Sequence, residues 1–136
     1  MSEENKAIFT SVLTEAFNKW NLDILDEVIA PNHVNHTDNV HGPAEYKQFV
    51  AMYRTAFPDL HITIDDQMAE GDKAMHRWVA TGTHKGELMG IPPTGKKISI
   101  TGIYMGRIVN GKIVEEWGNL DTLGMLQQLG IIPPMG

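Results

Sequence analysis

A chain of 136 residues with a net charge of −6 and no cysteine reads as one domain, residues 1–136, able to bury roughly 65–70% of its unfolded surface without staples. The acidic balance argues against a nucleic-acid or anionic-membrane partner, because those surfaces reward clustered Lys and Arg. The lack of cysteine excludes a disulfide framework, a thiolate nucleophile and a Cys-ligated metal. The start MSEENK is polar and no run of about 18 apolar residues occurs, so the composition predicts a cytoplasmic protein.

In chain order, Ser2 can cap a first helix with Glu3 and Glu4 in its opening turn, favourable at the positive end of the helix dipole. Ile8, Phe9, Val12, Leu13, Ala16, Phe17 and Trp20 recur at three and four residues and give it one broad apolar face. Asp23 can cap a shorter second helix that Pro31 stops. Residues 31–42 read as a polar loop holding three of the six histidines. Pro43 suits the first turn of a third helix, with Tyr46, Phe49, Val50, Tyr53, Ala56 and Phe57 as its apolar face.

From Leu60 the period changes to two, predicting strands at 60–68, 73–85, 97–109 and 112–120, then a helix over 121–129 that ends at Gly130 before Pro133 and Pro134. Helices followed by a run of antiparallel strands and a final helix is an α+β order. The eight methionines read as core packing with an adaptable wall for a pocket.

The hairpin signal Asn110-Gly111 sets a register with Val109 opposite Lys112. Straight alternation then puts Ile113, Glu115, Trp117, Asn119 and Asp121 on one face, beside Tyr104 and the glycines 102 and 106. An indole, a phenol, two acids and an amide fit a semi-polar pocket better than a core. Asp121 stands where the last strand meets the last helix, and could equally cap that helix through the N–H of Leu123 or Gly124.

Two patterns look functional and are not read so. His33, His36 and His41 with Asp38 have metal-ligand chemistry, but loop histidines are more often hydrogen-bonding groups, so no metal is expected. GIPPTGK at 90–96 has the spacing of a phosphate loop, yet Lys97 follows where Ser or Thr is needed, two prolines remove N–H donors, and a strand comes next. It reads as a rigid turn at the cavity mouth.

The stretches VNHTD around His36, FPDLHITID, Arg77 ahead of TGTHKGELMGIPPTGKKI, and RIVNGKIVEEWGNLDTLGMLQQLG resemble the SnoaL-like polyketide cyclases, within the nuclear-transport-factor-like cone-shaped superfamily. The resemblance implies a curved antiparallel sheet packed on three N-terminal helices around a cavity, with a short C-terminal helix, in homodimers or homotetramers. It implies Asp121 as the general acid-base residue, with His36 and Arg77 beside it, in an intramolecular aldol ring closure that uses no metal or organic cofactor. Trp117, Tyr104, Glu115, Asn119, Phe49 and Tyr53 are then the residues expected around an apolar, carbonyl-rich small molecule. A non-catalytic binding protein of the same fold, or an isomerase or hydrolase reusing the acid, are the alternatives.

Overall fold

The computed structural model describes residues 2–133, and Pro134 lies outside them. Helix α1 (Ser2–Ser11) runs without a break into a π-wound segment, Val12–Phe17. The wider winding keeps Phe9, Val12, Leu13, Ala16 and Phe17 turned inward together. It ends where Asn18 leaves the helix and pairs its amide with both the N–H and C=O of Ile62 (2.8 Å each), acting as an extra partner for an edge strand. Trp20, expected on the apolar face, instead takes a left-handed φ of 62° and lies outside against Arg54. Two further helices follow, α2 (Ile24–Val28) and α3 (Gly42–Ala56).

The four expected strands are β3 (His61–Glu70), β4 (Lys73–Thr83), β5 (Lys97–Val109) and β6 (Lys112–Leu120), and α4 covers Thr122–Gln128. The stretch expected to be a polar loop holds two more, β1 (Ile29–Asn35) and β2 (Val40–His41). The sheet order is β2-β1-β6-β5-β4-β3. β1 runs parallel to β6, so the sheet is mixed and not purely antiparallel. Pro31 is tolerated inside β1 because the register with β6 breaks between Ile29 and Val34, where no ladder N–H is required.

One irregularity decides what faces inward. Val109 pairs with Lys112 and Ile108 with Ile113 as expected, but Arg107 then pairs with Glu115, leaving Val114 as an extra residue. A bulge of this kind shifts the alternation by one. Tyr104 therefore lies opposite Gly118 and Gly106 opposite Glu116, while Trp117 faces outward opposite Met105. The core sits between the inner face of the sheet and α1, α2 and α3, with α4 closing one end through buried Met125 and Leu129.

Met125 packs in the core and lines the cavity as expected, whereas other methionines depart from expectation. Met68, Met75, Met105 and Trp117 form one cross-strand row on the outer face, Met68 being 57% exposed. The 84–96 turn is fastened to the end of α3, since the N–H groups of Lys85 and Gly86 both donate to the Ala56 carbonyl. None of its residues lines the cavity. Among the described residues, no helix is long and apolar enough to cross a membrane.

Candidate active site

Between the sheet and the helices lies a cavity with about 700 Å³ of empty space, its open mouth included. Phe9, Val12, Leu13 and Phe17 from the first helical segment and Trp78, Ala80, Ile98 and Ile100 from the sheet make an apolar wall. Of the lining residues only Asp38, Phe49, Tyr53 and Leu120 are not fully buried, and they mark the mouth.

Two carboxylates line this otherwise apolar space, Asp38 and Glu116. Asp38 sits in the short turn between β1 and β2. That turn is shaped by Asn35, whose side-chain oxygen accepts the N–H groups of Thr37 and Asp38 (3.0 Å each), an Asx arrangement. The Tyr104 hydroxyl (2.6 Å) and the Asn35 amide (3.1 Å) both donate to Oδ2 of Asp38. Oδ1 is given no donor by the described residues. Glu116, on the inner face of β6, accepts from His33 Nε2 (2.7 Å) and from the Tyr46 hydroxyl (3.3 Å).

The aromatic groups at this end fit because glycines lie beneath them. A side chain at Gly118 would occupy the ring of Tyr104, and one at Gly102 the indole of Trp78. The tyrosines are kept as protonated donors. Burial, reinforced by the charge of Asp38, pushes Tyr53 up to about 12 and raises Tyr104 further, while burial and the charge of Glu116 raise Tyr46. Deeper in, His76 stacks on Phe9 with centroids 4.3 Å apart, and burial lowers its pKa to about 4, so at neutral pH it is an uncharged wall residue.

Of the residues expected to form the site, Phe49, Tyr53 and Tyr104 line the cavity. The others do not. Asp121 is exposed and its carboxylate accepts the N–H of Gly124 (2.9 Å), capping α4 in the manner that was the alternative for it. Arg77 is exposed on the outer face of β4. His36 stacks on Trp117 (5.3 Å) and bonds Glu115 (2.9 Å), and Glu115 in turn holds Arg107 (2.8 Å), all on the outer side with exposed Asn119. The bulge at Val114 is the reason Glu115, Trp117 and Asn119 turn away. His41 bonds Asn39 and His33 bonds Glu116, so the three loop histidines diverge. Among the described residues no group of three potential ligands is placed to hold a metal ion.

The expected site lacked four residues: Glu116, which straight alternation turns outward, Tyr46, read as helix core, and Asp38 and His33, read as loop groups. One signal was available: adjacent glutamates within a strand point to opposite faces, so one of Glu115 and Glu116 has to face inward in any register.

A helix-backed curved sheet enclosing an aromatic cavity, with carboxylates and tyrosines gathered at one end, defines a small-molecule α+β cone protein. More narrowly, the chain belongs to the SnoaL-like polyketide cyclase family, whose model matches residues 7–129. It is 32% identical over 123 residues to a nogalonic acid methyl ester cyclase of Streptomyces nogalater, covering 87% of this chain and 92% of that one. It is 31% identical over 124 residues to an aklanonic acid methyl ester cyclase of Streptomyces sp. (strain C5), covering 87% and 77%. Among solved structures, TsrD of Streptomyces laurentii superposes with a TM-score of 0.87 at 27% identity, covering 96% and 97%. AclR of Streptomyces galilaeus, provisionally assigned as a hydroxylase, gives 0.85 at 31% identity, covering 98% and 85%.

Proposed function

We propose that this chain closes a ring in a carbonyl-rich polyketide ester by intramolecular aldol addition, with Asp38 as the general acid-base residue. The observation that carries this is a carboxylate at the mouth of an apolar cavity, one oxygen of which is held by Tyr104 and Asn35 while the other, Oδ1, receives no donor from the described residues. Oδ1 takes the proton from a carbon flanked by carbonyls. The enolate carbon attacks a second carbonyl of the same molecule, and the resulting alkoxide recovers the proton from the Asp38 carboxyl. No atom is gained or lost. Because the enolate is delocalised over the substrate, the step needs neither metal nor Schiff base. Tyr53, kept protonated, is the donor available to the developing oxyanion. The apolar walls hold the chain folded and exclude water.

The test is Asp38→Asn assayed by product mass spectrometry on an aromatic polyketide methyl ester. Loss of about 10³-fold in ring closure with an unchanged circular dichroism spectrum is expected, within the range for a positioned acid-base group. Undiminished turnover overturns the assignment.

We further propose that a second copy covers the outer row Met68, Met75, Met105 and Trp117, since methionine and aromatic residues are favoured in interface centres. Sedimentation is expected to give a dimer that Met105→Glu converts to monomer. The cysteine-free composition fits a cytoplasmic setting.

A further inference from the structure

The contact between His33 and Glu116 has ion-pair geometry, yet the histidine brings no charge to it. The backbone N–H of Gly42, the first residue of α3, donates to Nδ1 of His33 at 3.2 Å. A backbone N–H is always a donor, so Nδ1 carries no proton and the ring's one N–H is on Nε2, aimed at Glu116 Oε1 (2.7 Å). Gly42 holds this position with a φ of +76°, a conformation that favours glycine. The second donor to Glu116, the Tyr46 hydroxyl, is also neutral. Glu116 is 2% exposed, so its carboxyl lies out of reach of bulk water, with these two neutral donors as its partners among the described residues.

Among the described residues no cation lines the cavity beside it. Lys and Arg are absent from the lining, and His76 is neutral. Arg54 is spent on the carbonyls of Phe17 and Leu60, and Arg107 on Glu115 across the sheet. Asp38 adds a second negative group at the same end.

We infer that Glu116 is a specificity-determining residue: together with Asp38 it holds the cavity at negative potential, admitting the uncharged ester of a carbonyl-rich substrate and rejecting the free carboxylate. His33 is its positioning residue, anchoring the carboxylate while leaving its charge intact. The inference deepens the cyclase reading and rests on it for the identity of the ester. Two like charges about 6 Å apart at an effective dielectric of about 20 repel enough to weaken binding about 100-fold.

The experiment compares three ligands of nearly equal size on the intact protein at pH 7.5 by calorimetry: methyl 2-naphthoate, 2-naphthamide and 2-naphthoate. The ester and the amide are expected to bind within about threefold of each other and the anion about 100-fold more weakly. Glu116→Gln is expected to narrow the gap to about tenfold or less; should that variant fail to fold, the paired change His33→Asn with Glu116→Gln is read instead. Equal binding of acid and ester, an amide rejected as strongly as the acid, or a gap that survives loss of the Glu116 charge each overturns the inference. None of these measurements requires turnover. An Asp38→Asn protein that still closes rings would therefore remove Asp38 from the acid-base role, and a protein that closes no ring in any polyketide ester would remove the cyclase assignment, each leaving the ester-over-acid ratio readable.

Discussion

Glu115 and Glu116 are consecutive residues of β6 placed in opposite surroundings. Glu115 is partly exposed on the outer face, bonded to His36 and Arg107, where water screens what the pairing gains. Glu116 is buried, bonded only to neutral donors, and faces apolar walls. The difference teaches that one extra residue, Val114, decides which of two adjacent glutamates water screens and which faces the cavity. The same contrast separates Asp38, at the cavity mouth, from Asp121, on the solvent side as a helix cap.

The largest break in that comparison is between those two aspartates. Asp38→Asn is expected to lower ring closure by about 10³-fold, whereas Asp121→Asn, which keeps a capping oxygen, leaves turnover within about twofold and the melting temperature unchanged. Reversed outcomes would return the chemistry to the end of β6. Next comes Gly118→Ala against Asn119→Ala. A methyl at Gly118 meets the Tyr104 ring and displaces the hydroxyl that holds Asp38. It is expected to cost up to about 3 kcal/mol of stability in urea melts and to cut turnover about 100-fold through the misplaced carboxylate. Asn119, one residue on and exposed, should change stability by no more than about 0.5 kcal/mol.

The bounds of the hairpin and one face of α3 were legible in the sequence. β5 and β6 begin and end where the alternation and Asn110-Gly111 place them, and α3 carries Tyr46, Phe49 and Tyr53 on one face. What was hidden has physical causes. The bulge at Val114 has no composition of its own, because any residue can be the unpaired one, yet it moved Glu115, Trp117 and Asn119 out and Glu116 in. β1 was masked by Pro31 and by inward positions that are polar, His33 and Asn35, buried only because Glu116 and Asp38 are there to bond them. Asp121 stands at a strand-helix junction, and a junction asks for a cap as readily as for a catalyst.

A smaller effect sharpens the comparison through pH. His76 is buried and neutral, with no partner for Nδ1 among the described residues, and its folded pKa of about 4 lies below its ordinary value of 6.5. Between those values the unfolded chain takes up a proton that the folded chain does not. Stability therefore falls as pH drops from about 7 to 4, by roughly 2 kcal/mol at pH 5. His76→Phe, which keeps the stack on Phe9, is expected to remove that slope, read as the difference between variant and wild type in urea midpoints at pH 7 and pH 5.

The smallest effect belongs to Glu115, whose carboxyl is held below its ordinary pKa first by the His36 hydrogen bond and then by Arg107. A lowered folded pKa means that any stabilisation is present above the ordinary carboxylate pKa and is lost as pH falls through the folded one. Exposure and screening leave little to lose. Glu115→Gln is expected to shift the melting temperature at pH 7 by no more than about 1 °C, and by nothing measurable in 1 M salt. A shift of several degrees that persists in salt would mean that the outer cluster is covered, as a partner on the Met105 and Trp117 row would cover it, and the contrast between the two faces of β6 would then be one of interface against cavity.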